Sequence, residues 1–242
     1  MIVQDALVML MKFQNRDKLE MLQKGLMYMK PLQFYIDLEK KSLKKFIADD
    51  LEAQARTVFQ TIQIFSNEDN KLFLEGTNGL STLSLGYESK PVFCMFSFDM
   101  RNCNDEKLNG DKLEYRMAFT NEQKAELKEF GDSVLVIKNN IEFFKRVEMA
   151  FEKRNVSYER NHVLYYKEDS PQHLKNIIDG VNHIAFSKRE EYFSLQQEYR
   201  FLADTTIEDA FILDVGDIKD ISELYPIDEI LETEFRAVLT LK

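Results

Sequence analysis

The chain has 242 residues, is 44% hydrophobic and 31% charged, and carries a formal net charge of −10. That length can bury a sizeable core, in one large domain or one domain with an insertion. The acidic balance repels phosphate backbones and disfavours a broad nucleic-acid-binding role, and no apolar run reaches the roughly 18 residues of a membrane span.

Few glycines and prolines leave little room for flexible linkers. With 19 Phe and no Trp, the expected core is Phe-rich. Two cysteines, Cys94 and Cys103, do not make a disulfide framework, and a reduced cytoplasmic setting is expected. Met1 to Met11 is apolar but carries Asp5 and lacks a basic segment and a cleavage site, so no signal peptide is expected.

Ala6 to Phe13 reads as a first strand or a short helix. Arg16 to Lys24 is a helix stopped by Gly25, and Leu26 to Met29 a short strand ended by Pro31. Leu38 to Arg56 reads as a long charged helix, inserted or peripheral, with Leu43, Phe46, Ile47 and Leu51 on one side. Its lysines, Lys40, Lys41, Lys44 and Lys45, precede Asp49, Asp50 and Glu52 and read as a solvated face. Val58 to Phe65 alternates as a strand. Lys71 to Gly86 reads as a hairpin turning at Asn78-Gly79. Pro91 to Phe98 is a buried strand that places Cys94 in the core.

Asn102 to Asp111 reads as a loop carrying Cys103, and Leu113 to Phe119 as a strand. Thr120 and Gln123 form a capping box for a helix that Gly131 ends. Ser133 to Lys138 is a strand. Asn140 opens a helix with Ile141, Phe144, Val147 and Phe151 on one face. Val156 to Tyr166 is a strand, and Ser170-Pro171 starts a helix through Ile178. A short helix holding Lys188 and Tyr192 on one side follows, with Ser187 and Glu190 as its capping box. Strands then fall at Glu198 to Ala203 and Ala210 to Val215, turn and helix at Gly216 to Leu231, and a last strand at Glu234 to Leu241. Without regular β-α-β alternation, the pattern predicts a single α+β domain with a mixed, mostly antiparallel sheet flanked by helices.

Chemistry concentrates in Ser187 to Asp204, SKREEYFSLQQEYRFLAD. If Gln196 lies on the strand, it shares a face with Glu198, where one polar group positions a substrate and a carboxylate stabilises positive charge. Glu-aromatic-Arg recurs at Glu114-Tyr115-Arg116, Glu198-Tyr199-Arg200 and Glu234-Phe235-Arg236, which on a strand is a salt-bridging, solvated face. The spacing of His162, His173 and His183 fits no metal motif, and neither a phosphate-binding loop nor a serine nucleophile elbow is present.

The segment resembles the C-terminal motif of the DUF2971-like group of uncharacterised bacterial and phage proteins: Lys, a few residues, an aromatic, then Glu/Gln-x-Glu-aromatic-Arg. KLEMLQKGLMYMKPLQFYID resembles that group's opening through Gly25, Leu26, Tyr28, Pro31 and Phe34. VFCMFSF, FGDSVLVIKN and LDVGDIKDIS resemble later strands. This resemblance implies a cytoplasmic phage or prophage protein that needs no cofactor and binds a host protein or modulates host defence.

The Gln-x-Glu spacing is also similar to the catalytic strand of arginine-type ADP-ribosyltransferases. This second resemblance implies NAD as cofactor, with Glu198 contacting the nicotinamide ribose and Gln196 selecting the acceptor. Lys188, Tyr192 and Arg200 complete the expected catalytic group, and Tyr28, Ser81 and Thr82 the cofactor-binding one. Such enzymes also carry an Arg on a first strand, whereas Arg16 here falls at a helix start.

Overall fold

The computed structural model describes residues 9–41, 52–167 and 170–240. The elements in chain order are β1 (Met9–Gln14), α1 (Arg16–Gln23), β2 (Leu26–Pro31), α2 (Leu32–Lys41), β3 (Gln54–Phe65), β4 (Leu72–Ser84), β5 (Pro91–Phe98), β6 (Cys103–Asn109) and β7 (Lys112–Met117). There follow α3 (Asn121–Leu127), β8 (Ser133–Ile137), α4 (Asn140–Lys153), β9 (Tyr158–His162), β10 (Leu164–Tyr166), α5 (Pro171–Ile178) and β11 (Ser187–Arg189). The chain continues through α6 (Glu190–Phe193), β12 (Glu198–Ala203), β13 (Phe211–Asp214), β14 (Ser222–Pro226), α7 (Ile227–Leu231) and β15 (Phe235–Thr240). This is an α+β fold whose strand pairs are antiparallel except β10 with β11. Among the described residues no helix is long and apolar enough to cross a membrane.

The chain divides into two compact units, one of Met1–Pro31, Ser89–Val163 and Leu195–Lys242, the other of Leu32–Glu88 and Leu164–Ser194. The first is built on an eight-stranded sheet ordered β13-β2-β5-β1-β8-β14, with β12 on the other edge of β5 and β9 beyond it. Alternation sorts its side chains into two cores. Leu10, Met27, Phe93, Leu135 and Phe201 pack with Leu19 of α1 and Phe143, Val147 and Phe151 of α4. Met11, Phe13, Phe96, Phe98 and Val134 pack with Leu127 of α3 and Ile230 of α7. Burying each such side chain contributes about 1.5–3 kcal/mol. Gly25 ends α1 at φ +100°, and a Cβ there would stand 2.4 Å from the Gly216 carbonyl oxygen, so only glycine fits.

The second unit holds the β3–β4 hairpin, the parallel pair β10–β11, and α2, α5 and α6. A small core of Ala55, Ile177 and Ile184 joins the hairpin to α5, with Leu83, Tyr87 and Leu174 against it.

Several elements differ from the sequence-based reading. The expected Leu38–Arg56 helix is replaced at its ends: Leu38 to Lys41 close α2, and Gln54 to Arg56 open β3. Its middle, with Leu43, Lys44, Lys45, Phe46, Ile47 and Leu51, lies outside the described residues, as do residues 1–8. Asn78-Gly79 makes no turn. β4 runs straight through it, with Gly79 opposite Phe59, whose ring occupies the space a Cβ would need. The chain reverses at Ser66–Lys71 instead, where Ser66 accepts from Asn70 and donates to Lys71. Asn102–Asp111 is mainly strand β6, and a further strand, β14, lies inside the expected turn-and-helix region. Val156–Tyr166 splits into β9 and β10. On α4, Ile141 is exposed and Phe143 takes its place in the core. The capping boxes of α3 and the Ser170 cap of α5 stand as expected.

Candidate functional site

In the first unit the candidate residues gather on β12 and its neighbours. All six β12 residues are buried. Tyr199 and Phe201 enter the core beside Phe144 of α4, which turns Glu198 and Arg200 to the opposite face. There Arg200 Nε donates to Glu198 Oε2 at 2.9 Å, and Arg200 is only 1% exposed. The expected solvated face is therefore a buried ion pair. Two charges withdrawn from water make a costly arrangement, and removing one partner typically destabilises by about 3–5 kcal/mol. The other two Glu-aromatic-Arg triplets lie at or near the surface, where Arg236 reaches Glu114 at 3.6 Å across β15–β7.

Gln196 does not share the Glu198 strand face. It ends a short 3-10 turn, Ser194–Gln196, and Gln197 then takes φ +40° before the strand begins. The reversal lets the Gln197 carbonyl accept from Ser97 N at 2.8 Å, and its buried side-chain oxygen has no hydrogen-bond partner among the described residues. A left-handed non-glycine residue costs about 1–3 kcal/mol and tends to mark a functional turn.

β5 supplies the next groups. One of its edges is shared by two strands. β1 pairs with it only through Met9 to Met11, opposite Phe98 to Phe96, and β2 only through Lys30 and Pro31, opposite Val92 and Pro91. Phe93 to Met95 lie between these two pairings. Lys12, where β1 has parted from β5, sends Nζ into this fork and donates to the Cys94 carbonyl at 2.6 Å. The ammonium also lies 4.9 Å from the Phe93 ring centre. Burial lowers the Lys12 pKa, partly offset by Cys94 and Glu198. Cys94 is partly exposed, not the core residue expected.

Past the end of β5, Ser97 Oγ donates to Asp99 Oδ2 at 2.6 Å, and Arg101 grips the same carboxylate through Nε and Nη2 at 2.9 and 2.6 Å. Burial pushes the Asp99 carboxyl up, but the bonds from Arg101 and Ser97 outweigh it and hold its pKa below the ordinary value. Tyr28, on β2, is 46% exposed, with the Lys30 ammonium 5.4 Å from its ring.

The remaining expected residues belong to the second unit. Lys188 lies in β11 and Tyr192 in α6, so they do not share a helix face. Ser187 caps no helix; its hydroxyl donates to the His183 carbonyl, and α6 begins after Arg189 without a side-chain cap. Lys188 is buried, 3.8 Å from buried Glu52 and 4.3 Å from the Phe193 ring centre. Ser81 and Thr82 are exposed on β4, opposite Thr57 and Arg56. His173 is buried against Tyr166, ring centres 3.6 Å apart, and neither ring nitrogen has a hydrogen-bond partner among the described residues. Burial pushes its pKa down to about 4.

The hairpin presents a second kind of surface. Val58 faces Leu80 and Ile64 faces Leu74 across the ribbon, with Ile62 opposite Gly76 between them. All five apolar side chains lie on one face and are 38–56% exposed. Sequence reasoning named the strand Val58–Phe65 but missed this stripe, because the wrong turn folded β4 back on itself. It also missed Lys12, Asp99, Arg101 and Gln197. Only Gln197 had a local signal, in its place between a turn and a strand.

Among the described residues no group of three or more His, Cys, Asp or Glu is placed to hold a metal ion. Comparison with protein-family models, with curated proteins and with solved structures finds no match to this chain.

Proposed function

We propose that this chain acts by binding a partner protein through the apolar face of the β3–β4 ribbon. The observation that carries the reading is that Val58, Ile62, Ile64, Leu74 and Leu80 stand exposed on one face of the ribbon, with polar Gln60 and Asn78 the residues between Val58/Leu80 and Ile62. A two-stranded ribbon is marginal by itself, and contiguous exposed apolar surface marks interaction sites. Glu68 and Asp69 at its turn and the net charge of −10 favour a partner whose apolar patch has a basic rim. The same charge opposes pairing with a second copy. A host or defence-system protein inside the cell, met by a phage or prophage product, is the partner that the sequence resemblance suggests. A partner retained by the wild-type chain and lost with Val58→Asp/Leu80→Asp supports this reading. Equal retention by both, or light scattering that shows a ribbon-dependent homodimer, overturns it.

A second reading is favoured by Glu198, a buried carboxylate bonded to Arg200 and coupled electrostatically to Lys12 on the first strand. It makes the chain an NAD-dependent ADP-ribosyltransferase-like enzyme with Glu198 as catalytic carboxylate. The first-strand cation would then be Lys12, not an arginine. Titration calorimetry with millimolar NAD tests it: binding by the wild-type chain with turnover lost in Glu198→Gln supports the enzyme, and absence of binding removes it.

A further inference from the structure

We propose that Asn109 is a self-modification site, where Asn109-Gly110 closes to a succinimide that opens to aspartate and isoaspartate, and that the isoaspartate form loosens strand β6. The proposal is independent of both readings above.

The sequence holds two Asn-Gly pairs, Asn78-Gly79 and Asn109-Gly110. In each, the glycine leaves the backbone nitrogen after the asparagine unhindered by a side chain. Their places in the fold separate them. Asn109 faces Lys112 in the last pair of the β6–β7 hairpin, and Gly110 and Asp111 form its loop. Gly110 stands first in that loop at φ +63°, the position and sign that a type II′ turn gives to glycine. Asn109, Gly110 and Asp111 are exposed. Nothing lies within 4 Å of where a Gly110 Cβ would stand, and the Gly110 N–H makes no hydrogen bond among the described residues.

Asn78 is exposed too, but it lies inside β4, with pairs to β3 on both sides of it. The Phe59 ring stands 2.2 Å from where a Gly79 Cβ would be, so that side of the glycine is covered. Ring closure needs the asparagine side-chain carbon to swing onto the following nitrogen, and an extended strand holds the two apart. At Asn109 the swing requires only that the terminal pair fray. At Asn78 it requires a break within the ladder.

The chemistry balances with water alone. The Gly110 nitrogen bonds to the Asn109 side-chain carbonyl carbon and gives up its proton. The carbon's bond to the amide nitrogen breaks, and that nitrogen takes the proton and leaves as ammonia. Water then adds its hydroxyl to one carbonyl carbon of the ring and its proton to the Gly110 nitrogen, whose bond to that carbon breaks. Opening at the side-chain carbonyl gives aspartate. Opening at the main-chain carbonyl gives isoaspartate, whose backbone runs through the former side chain and is one carbon longer. That extra carbon falls where the turn sets the hairpin register. β6 has no buried side chain and is held by β7, so it is the strand that comes loose.

The test is timed ageing. The full chain is held at mildly alkaline pH and sampled over days, and amide-to-acid conversion and isoaspartate are mapped by peptide mass spectrometry. Opening costs least at frayed ends and most within elements, so Asn109 should convert about tenfold faster, or more, than Asn78. Isoaspartate should accompany aspartate at Asn109. Asn109→Gln should remove the fast conversion, and Asn78→Gln should leave it unchanged. Limited trypsin should cut after Lys107 sooner in the aged chain than in the fresh one. Equal rates at the two sites, or faster conversion at Asn78, overturn the proposal. Aspartate without isoaspartate overturns the ring route, and unchanged cleavage after Lys107 in isoaspartate-bearing chains overturns the loosening of β6.

Discussion

β12 and the β3–β4 ribbon invert the usual distribution of side chains in opposite directions. β12 buries a glutamate and an arginine inside a sheet, whereas the ribbon leaves valine, isoleucine and leucine in water. Each arrangement costs stability relative to the ordinary one. Part of the cost of the buried pair is met locally by its charge-assisted hydrogen bond. Among the described residues the ribbon's five exposed apolar side chains have no comparable remedy, and under the binding reading a partner would cover them.

The sharpest way to break this contrast is to open the ion pair. Arg200→Met should lose about 3–5 kcal/mol in urea denaturation by taking from buried Glu198 its arginine partner, and adding Glu198→Leu should restore much of the loss. If the single variant costs no more than a surface change, the Glu198–Arg200 bond does not hold β12 in place. His173 gives a second measure. Unfolded, it titrates near 6.5; folded, near 4. Between these values the unfolded chain binds the extra proton, so the His173 contribution is complete above pH 6.5 and falls by roughly 3 kcal/mol as pH drops to 4. His173→Phe should flatten that part of the stability profile.

Smaller effects probe the ribbon. Gly79→Ala should cost about 1–3 kcal/mol in thermal unfolding, because the Phe59 ring must move away from the new methyl. Val58→Ser should shift stability by only about 0.5 kcal/mol while weakening partner binding. A large loss of stability from Val58→Ser would show that the stripe supports the fold and not a partner.

These differences also explain what could be read from the residues. VFCMFSF, SVLVIK and the Thr120 capping box carry their structure locally, and all three are where the sequence places them. β6 could not be recognised, because CNDEKLN lacks apolar alternation and holds its place by pairing with β7. Asn78-Gly79 misled for a related reason: the turn signal is local, but a long-range partner, Phe59, uses the glycine for space. Glu198 and Arg200 were legible as a pair on one face, yet their burial was not. Lys12 was invisible, since the fork that gives it meaning exists only where two distant strand pairings end.

The five-segment division of the chain bears on how the protein can be made in the cell. The first unit needs residues near the start, middle and end of the chain, and β5 waits for β12, more than a hundred residues later. During synthesis its central sheet cannot close until β12 has left the ribosome. The β3–β4 ribbon, by contrast, can zip as soon as Ser84 emerges. A greasy ribbon formed ahead of the larger sheet makes the nascent chain a client for a chaperone. Trimming the gene to isolate either unit would cut across this weave, so expression of the uninterrupted chain is the sound route to both.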